Sequence, residues 1–216
     1  MEPDLPSAKS ETASPFFGER FTHRLEAFSD LVFGFSLSLL ATRLDLSAKV
    51  EDIFEATRWG TFLITFGMIC VIWLAHYRVF RHHFVARAPD VVINFIFLFG
   101  IAIMPYSVQT FLRFMPGQDA ILLYFGDFAL IFAALATLRW RALRQRRGNP
   151  DVAIRLKEWR ETVRQYGIVV IVVAALLGMR VEWIPRDKFY SLVPAAFIVV
   201  MLVTRLIVRQ LPKFLQ

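Results

Sequence analysis

The chain alternates between long uncharged apolar runs and shorter polar segments. Five such runs stand out: Trp59–Tyr77, Val91–Leu112, Ala120–Leu138, Gln165–Met179 and Phe189–Thr204. A helix needs roughly 20 mostly apolar residues to cross the hydrocarbon layer of a membrane. The run beginning at Gln165 is short, so its helix is expected to continue past Arg180 to Trp183. The pattern predicts an all-α membrane protein.

A sixth spanning helix is predicted nearest the N-terminus, although this segment is partly polar. Only Leu31–Thr42 is uncharged there, and helical residues from Arg24 onward bring the segment to spanning length. The preceding residues are polar and lack the apolar core of a cleaved signal peptide. We therefore predict a flexible tail over residues 1–20 and one six-helix transmembrane domain over residues 21–216.

No separate soluble domain fits between the predicted spans. The longest connection, residues 139–164, is basic and is interrupted by Gly148, Asn149 and Pro150. We predict a helical extension, a turn and a second helical extension there.

Composition supports lipid as the solvent of this chain. Apolar residues make up 56% of the sequence, against roughly 45–50% in soluble domains. The net charge of +7 has a topological explanation, since 18 of the 25 Lys and Arg fall in the N-terminus, the second and fourth connections and the C-terminus. Basic loops stay in the cytoplasm, so both termini are predicted there. Anionic lipid is the expected partner of this charge, and nucleic acid is not.

The first helix carries unusual chemistry. From Arg24 it reads RLEAFSDLVFGFSLSLLATRLDL, which places a cation, two carboxylates and a serine where the helix enters the membrane. Charges at that depth cost several kcal/mol unless they are paired. Asp30 therefore needs partners on other helices, and the candidates are His76 and Asn94.

These residues resemble the transmembrane protein 175 family. The resemblance lies in an arginine followed by Phe-Ser-Asp on the first helix, a Trp-x-x-His on the second, and later motifs as far as the fourth helix. The matching residues are Arg24, Phe28, Ser29, Asp30, Trp73, His76, the run from Asn94, Met104-Pro105-Tyr106, and Leu-Leu-Tyr at 122–124.

The resemblance implies a potassium-selective cation channel. Six-helix bacterial members of the family are homotetramers whose first helix lines the pore. No cofactor is expected beyond the permeant K⁺, and the short loops suit a bacterial inner membrane. The chain has no Thr-Val-Gly-Tyr-Gly filter loop, so selection is expected from side chains and not from a ring of carbonyls.

Helical geometry picks out the expected pore face. Leu31, Phe35, Ser38 or Leu39, and Thr42 fall on one stripe at spacings of three and four residues. Apolar rings would narrow a pore there, while the Ser38 and Thr42 hydroxyls would replace part of an ion's hydration shell. The resemblance places Phe35 at the gate position, where the family carries an aliphatic residue.

Two interpretations of this helix stay open beside the pore. Gly34, Ser38 and Ala41 form a stripe of small residues, which is typical of close helix packing. The polar group is interpreted as a structural network that holds the pore helix against its neighbours; its members are Arg24, Phe28, Ser29, Asp30, His76 and Asn94.

Other polar residues suggest a metal site or a hydrolase triad, but neither set of residues is complete. His76, His82 and His83 have no matching carboxylate or thiolate nearby in sequence, so no metal site is predicted. Ser29 beside Asp30, with His76, lacks the accompanying motifs of a hydrolase, and no catalytic residue is assigned.

The remaining intramembrane acid, Asp127, is expected either to pack against a Tyr or Arg or to relay an ion or a proton. A non-conducting membrane scaffold and a proton-permeable channel are the alternatives for the function of the whole protein.

Overall fold

The computed structural model describes residues 18–42, 56–81, 84–114, 117–145, 152–181 and 183, and these form an all-helical protein. The helices are α1 (Glu19–Thr42), α2 (Ala56–Phe80), α3 (Ala88–Phe114), α4 (Gln118–Gln145) and α5 (Val152–Arg180). Each is long and apolar enough to cross a membrane. The prediction of an all-α integral membrane protein is confirmed. The predicted span Phe189–Thr204 lies outside the described residues.

The ends of α4 and α5 test the expectations for the basic connection. Helix α4 continues to Gln145 and α5 begins at Val152, so helix extends into the basic stretch from both sides. The predicted extension of α5 to Trp183 is wrong, because the helix ends at Arg180. There the Trp183 N–H donates to the Gly178 carbonyl oxygen, five residues back, at 2.9 Å. A bond that spans five residues departs from the four-residue spacing of an α-helix and is typical of a helix end.

The core lies between α3 and α4, with α1 and α2 against one side and α5 against the other. Phe97, Ile101 and Met104 on α3, and Ile131 and Leu135 on α4, are completely buried. Moving these apolar side chains from lipid into the bundle gains little hydrophobic free energy, because lipid tails are equally apolar. Close packing between the helices therefore determines their position.

Gly100 allows the backbones of α3 and α4 to approach at the middle of this core. A Cβ atom at that position would lie 2.6 Å from Ile131 Cγ1 and 3.3 Å from Asp127 Oδ1. Because the Ile131 contact is shorter than real Cβ contacts, any larger residue at position 100 would require the Ile131 side chain or α4 to shift.

The connection between α2 and α3 is fastened to two other helices. The Ala86 N–H donates to Thr22 Oγ1 on α1 at 2.9 Å. The Gln145 side-chain amide pairs with the Val85 backbone, since Val85 N donates to Oε1 and Nε2 donates to the Val85 carbonyl, each at 3.1 Å. Backbone groups of an irregular segment are satisfied in this way where helix bonds are missing.

An ion pair closes the same end of the bundle. Asp90 is completely buried in the first turn of α3 and pairs with Arg141 Nε on α4. The other carboxylate oxygen, Oδ2, accepts the Arg87 N–H at 2.9 Å, which caps the helix. The start of α3 is therefore fixed against the end of α4.

Candidate functional site: the two faces of the first helix

One face of α1 is buried against α2 and α3. Its residues recur at spacings of three and four, which places them on one side of the helix. They are Thr22, Leu25, Ser29, Phe33, Ser36 and Leu40.

A chain of hydrogen bonds joins this face to the two neighbouring helices. His76 Nε2 on α2 lies 2.8 Å from Asn94 Oδ1 on α3, and Asn94 Nδ2 donates to Ser29 Oγ on α1 at 3.0 Å. The Ser29 hydroxyl donates in turn to the Leu25 carbonyl oxygen at 2.7 Å. Since an amide oxygen only accepts, the proton of the first bond is on His76 Nε2. The chain runs in one direction, and three predicted network residues are its side-chain members.

Burial makes this chain the anchor of α1. His76 is 1% exposed, and Ser29 and Asn94 are 0% exposed. The His76 ring stacks on Phe97 with centroids 4.9 Å apart and an interplanar angle of 5°, and Phe80 lies at 4.7 Å. A polar group left without its partner among such rings costs about 1–3 kcal/mol.

Asp30 points away from this hydrogen-bond chain, and its partner differs from the two that were predicted. Trp73 Nε1 donates to Asp30 Oδ1 at 2.7 Å, and neither His76 nor Asn94 bonds to this carboxylate. The reason is helical geometry, because neighbouring residues diverge by about 100° and Ser29 occupies the inward direction. Ser29, Asp30 and His76 thus do not converge in the manner of a hydrolase triad.

The other two predicted network residues are not members of this hydrogen-bond chain. Phe28 is 47% exposed, and its ring meets Phe95 edge to face at 5.9 Å. Arg24 is exposed and makes no hydrogen bond or ion pair with the part of the chain that the structure describes.

The opposite face of α1 is open with respect to the described part of the chain. Phe35 is 71% exposed, Leu31 63% and Leu39 48%, and Ser38 and Thr42 are exposed as well. The rotation that buries Ser29 therefore turns all five predicted pore residues away from the other described helices.

The exposed hydroxyls are bonded within their own helix. Ser38 Oγ donates to the Gly34 carbonyl oxygen at 3.0 Å, and Thr42 Oγ1 donates to the Leu39 carbonyl oxygen at 2.8 Å. A hydroxyl has one proton and two lone pairs. Each oxygen therefore keeps its lone pairs for an external partner.

Asp127 has a serine hydroxyl as its partner, and neither a Tyr nor an Arg, which was one of the two predicted alternatives; the other, a relay of an ion or a proton, stays a prediction. Ser107 Oγ on α3 donates to Asp127 Oδ2 at 2.8 Å, and Asp127 is 7% exposed. Ser107 is two residues after Pro105 on α3 and lies across from Asp127 in the buried α3–α4 contact. That juxtaposition depends on the packing of two helices and has no local sequence signal.

The sequence contains partial signals for the contacts that were missed. Asp90 directly after Pro89 is typical of a helix start, but its partner Arg141 is 51 residues away along the chain. Trp73 belongs to the Trp-x-x-His motif, yet only the relative rotation of α1 and α2 identifies it as the partner of Asp30. Within the described ranges no three metal-binding side chains come together; His82 and His83 lie outside those ranges.

The fold and this site define a polytopic helical membrane protein whose first helix is anchored on one face and open on the other. Residues 24–105 match the family described as "Endosomal/lysosomal potassium channel TMEM175". All side chains of the hydrogen-bond chain fall within that range. The resemblance predicted from the first helix is therefore confirmed.

Two relatives share sequence with the chain. A Marivirga tractuosa protein named "Potassium channel" is 30% identical over 117 residues, which cover 54% of this chain and 45% of that protein. A Bos taurus protein named "Endosomal/lysosomal proton channel TMEM175" is 35% identical over 75 residues, 35% of this chain and 15% of that protein. The chain thus spans less than half the length of each of these relatives.

Two crystal structures share the fold. A variant of the potassium channel MtTMEM175, in complex with a nanobody–MBP fusion protein, superposes with a TM-score of 0.68 at 18% identity, covering 88% of this chain and 93% of that chain. A lysosomal potassium-selective channel TMEM175 homolog from Chamaesiphon minutus gives 0.59 at 18% identity, covering 85% and 97%. The architecture is therefore that of these channels.

Replacing Ser29 with Ala is expected to lower the stability of the protein by about 1–3 kcal/mol, because the buried Asn94 amide loses its acceptor. Ser38→Ala is the matched control, since Ser38 makes the same bond to its own helix but is exposed. Thermal unfolding in detergent, followed by fluorescence-detected size-exclusion chromatography, measures both variants. An equal loss of stability in both variants would show that the bond between Asn94 and Ser29 does not stabilise the protein.

Proposed function

We propose that this protein is a subunit of a potassium-selective channel that conducts passively through a pore lined by α1 in a homotetramer. The observation that carries the proposal is the orientation of α1. Buried hydrogen bonds fix one face inside the protomer, and the open face combines large apolar side chains with hydroxyls. The names of the similar channels support the choice of ion.

The spacing along the open face suits several copies of α1 around a shared axis. Exposed residues recur at alternating intervals of four and three; they are Arg24, Phe28, Leu31, Phe35, Ser38 and Thr42. An average period of 3.5 residues keeps one seam facing its partners in a bundle of parallel helices. Lipid offers Ser38 and Thr42 no polar partner, whereas a water-filled axis does.

Phe35 is the proposed constriction. It is 71% exposed and lies half-way along the seam, one turn before the two hydroxyl positions. A ring of phenyl groups gates a pore by excluding water from its narrowest part. Leu31 continues the apolar section towards the start of the helix.

The hydroxyl rings of Ser38 and Thr42 are the proposed selectivity elements. Their protons are held by carbonyl oxygens of α1, so the lone pairs are available to a partly dehydrated cation. The number and field strength of such oxygens distinguish K⁺ from Na⁺. No resident cofactor is part of the proposal.

The proposed orientation places both termini in the cytoplasm of a bacterial cell, with the channel in the inner membrane. The distribution of 18 of the 25 Lys and Arg on that side supports it.

Proton permeation is the second candidate, because the bovine relative is named a proton channel. A water-filled path past the hydroxyl positions would carry protons as well as potassium. The two candidates share the pore and differ in the ion that sets the reversal potential.

In planar bilayers under a potassium–sodium gradient, the purified protein is expected to give a current that reverses near the potassium equilibrium potential. Ser38→Ala should move this potential towards zero, because one ring of oxygen ligands is removed. Ser36→Ala, whose hydroxyl is buried on the opposite face, should leave it unchanged. A reversal that follows a pH gradient instead would establish the proton channel, and no current at all would establish a scaffold.

Phe35→Ala is expected to raise single-channel conductance at least about twofold, since the ring that narrows the pore is removed. Phe99→Ala is the control, because Phe99 is also a largely exposed phenylalanine, at 60%, but lies on α3. Single-channel recording compares both with the unmodified protein. An unchanged conductance in Phe35→Ala would exclude Phe35 as the constriction.

Cross-linking tests the shared axis. Cys70 is the single cysteine of the chain, so Cys70→Ala gives a background for new thiols. Ser38→Cys is expected to form covalent dimers with a short bifunctional maleimide, and the particle mass in detergent should equal four subunits. Ser36→Cys, buried within the protomer, should give none. A monomeric mass, or equal cross-linking at both positions, would contradict the assembly.

A further inference from the structure

A groove lies between α4 and α5, near the end of α4 and the start of α5. Its volume is about 250 Å³, and its lining consists of Trp140, Trp159, Thr162, Val163 and Tyr166. The pore face of α1 is not part of this groove.

The wall of the groove is aromatic and largely apolar. The Trp140 and Trp159 rings lie 4.8 Å apart between centroids. The two hydroxyls of the lining already have partners, since Thr162 Oγ1 donates to the Glu158 carbonyl oxygen at 2.9 Å and the Tyr166 hydroxyl lies 2.8 Å from Thr137 Oγ1. The ligand segment that lies against this lining is therefore expected to be a hydrocarbon chain. Tryptophan and tyrosine are typical of the depth at which lipid headgroups begin.

Two exposed arginines lie beside this groove. The Arg144 guanidinium carbon lies 4.9 Å from the centroid of the Trp140 ring. Arg160 precedes the lining residue Val163 by three residues, which makes the two neighbours on the α5 surface, and it is exposed. Among residues 139–164, the side chains that the structure describes include five arginines and two acids, and one of those acids, Glu161, pairs with Arg164. The surroundings therefore favour an anion.

We infer that this groove is a binding site for one anionic phospholipid. An acyl chain lies along Trp140, Trp159 and Tyr166, and the phosphate is bound by Arg144 and Arg160. Basic pockets between transmembrane helices bind anionic headgroups on the cytoplasmic side. This side agrees with the proposed orientation, but the site requires no conduction, so its test is independent of channel activity.

The purified full-length protein is titrated with dibrominated phosphatidylglycerol or dibrominated phosphatidylcholine in mixed micelles. Bromine on the acyl chain quenches the fluorescence of tryptophans that it contacts. We expect quenching at several-fold lower concentrations of phosphatidylglycerol. The double variant Arg144→Gln/Arg160→Gln should lose this preference, with a weakening of about fivefold for each arginine removed.

Arg113→Gln is the matched control, because Arg113 also lies over an aromatic ring, that of Phe114, at 5.5 Å, but at the end of α3. It should bind both lipids as the unmodified protein does. Equal quenching by the two lipids in the unmodified protein would overturn the inference, as would an equal loss in Arg113→Gln.

Competition separates a lipid from a free phosphate without any variant. Glycerol 3-phosphate carries the headgroup chemistry without acyl chains, so it should not displace the brominated lipid, whereas unlabelled phosphatidylglycerol should. Displacement by glycerol 3-phosphate would show a surface phosphate site and overturn the role of the groove.

Discussion

The hydrogen-bond chain from His76 through Asn94 to Ser29 determines how α1 is rotated in the bundle. A helix in lipid has little hydrophobic reason to prefer one apolar face, since hydrocarbon lies on every side. The bond from Asn94 Nδ2 to Ser29 Oγ removes that freedom, because the buried Asn94 amide would lose its acceptor if α1 turned by one residue. The same rotation of α1 leaves the seam of apolar and hydroxyl side chains exposed.

The remainder of the bundle keeps the partners of that chain in position. Asn94 is one turn after Asp90, whose carboxylate pairs with Arg141 and caps α3. Thr22 fastens α1 to the α2–α3 connection about two turns before Ser29. The anchored helix is thus held at two levels, while Leu31, Phe35 and Ser38 on its opposite side are exposed among the residues that the structure describes.

The spans could be predicted from the sequence because hydrocarbon thickness sets their length, and Leu31, Phe35 and Thr42 share a face by helical periodicity. The need of the membrane-entry charge on Asp30 for partners predicted that His76 and Asn94 join the first helix, although Ser29 is the residue that Asn94 contacts. The pairings of Asp30 with Trp73 and of Asp127 with Ser107 could not be predicted. Both depend on the relative rotation of two helices, which no local pattern encodes. Likewise, an apolar seam has the same sequence whether it faces lipid or a partner helix.

The internal bonds of Ser38 and Thr42 have a consequence for the sign of the permeating charge. Chloride is coordinated by hydrogen-bond donors, and both hydroxyl protons are committed to carbonyl oxygens of the same helix. In the proposed pore an anion would meet only oxygen lone pairs at these two rings. Discrimination against anions would then need no carboxylate along the narrow section, so an uncharged lining would suffice to exclude chloride.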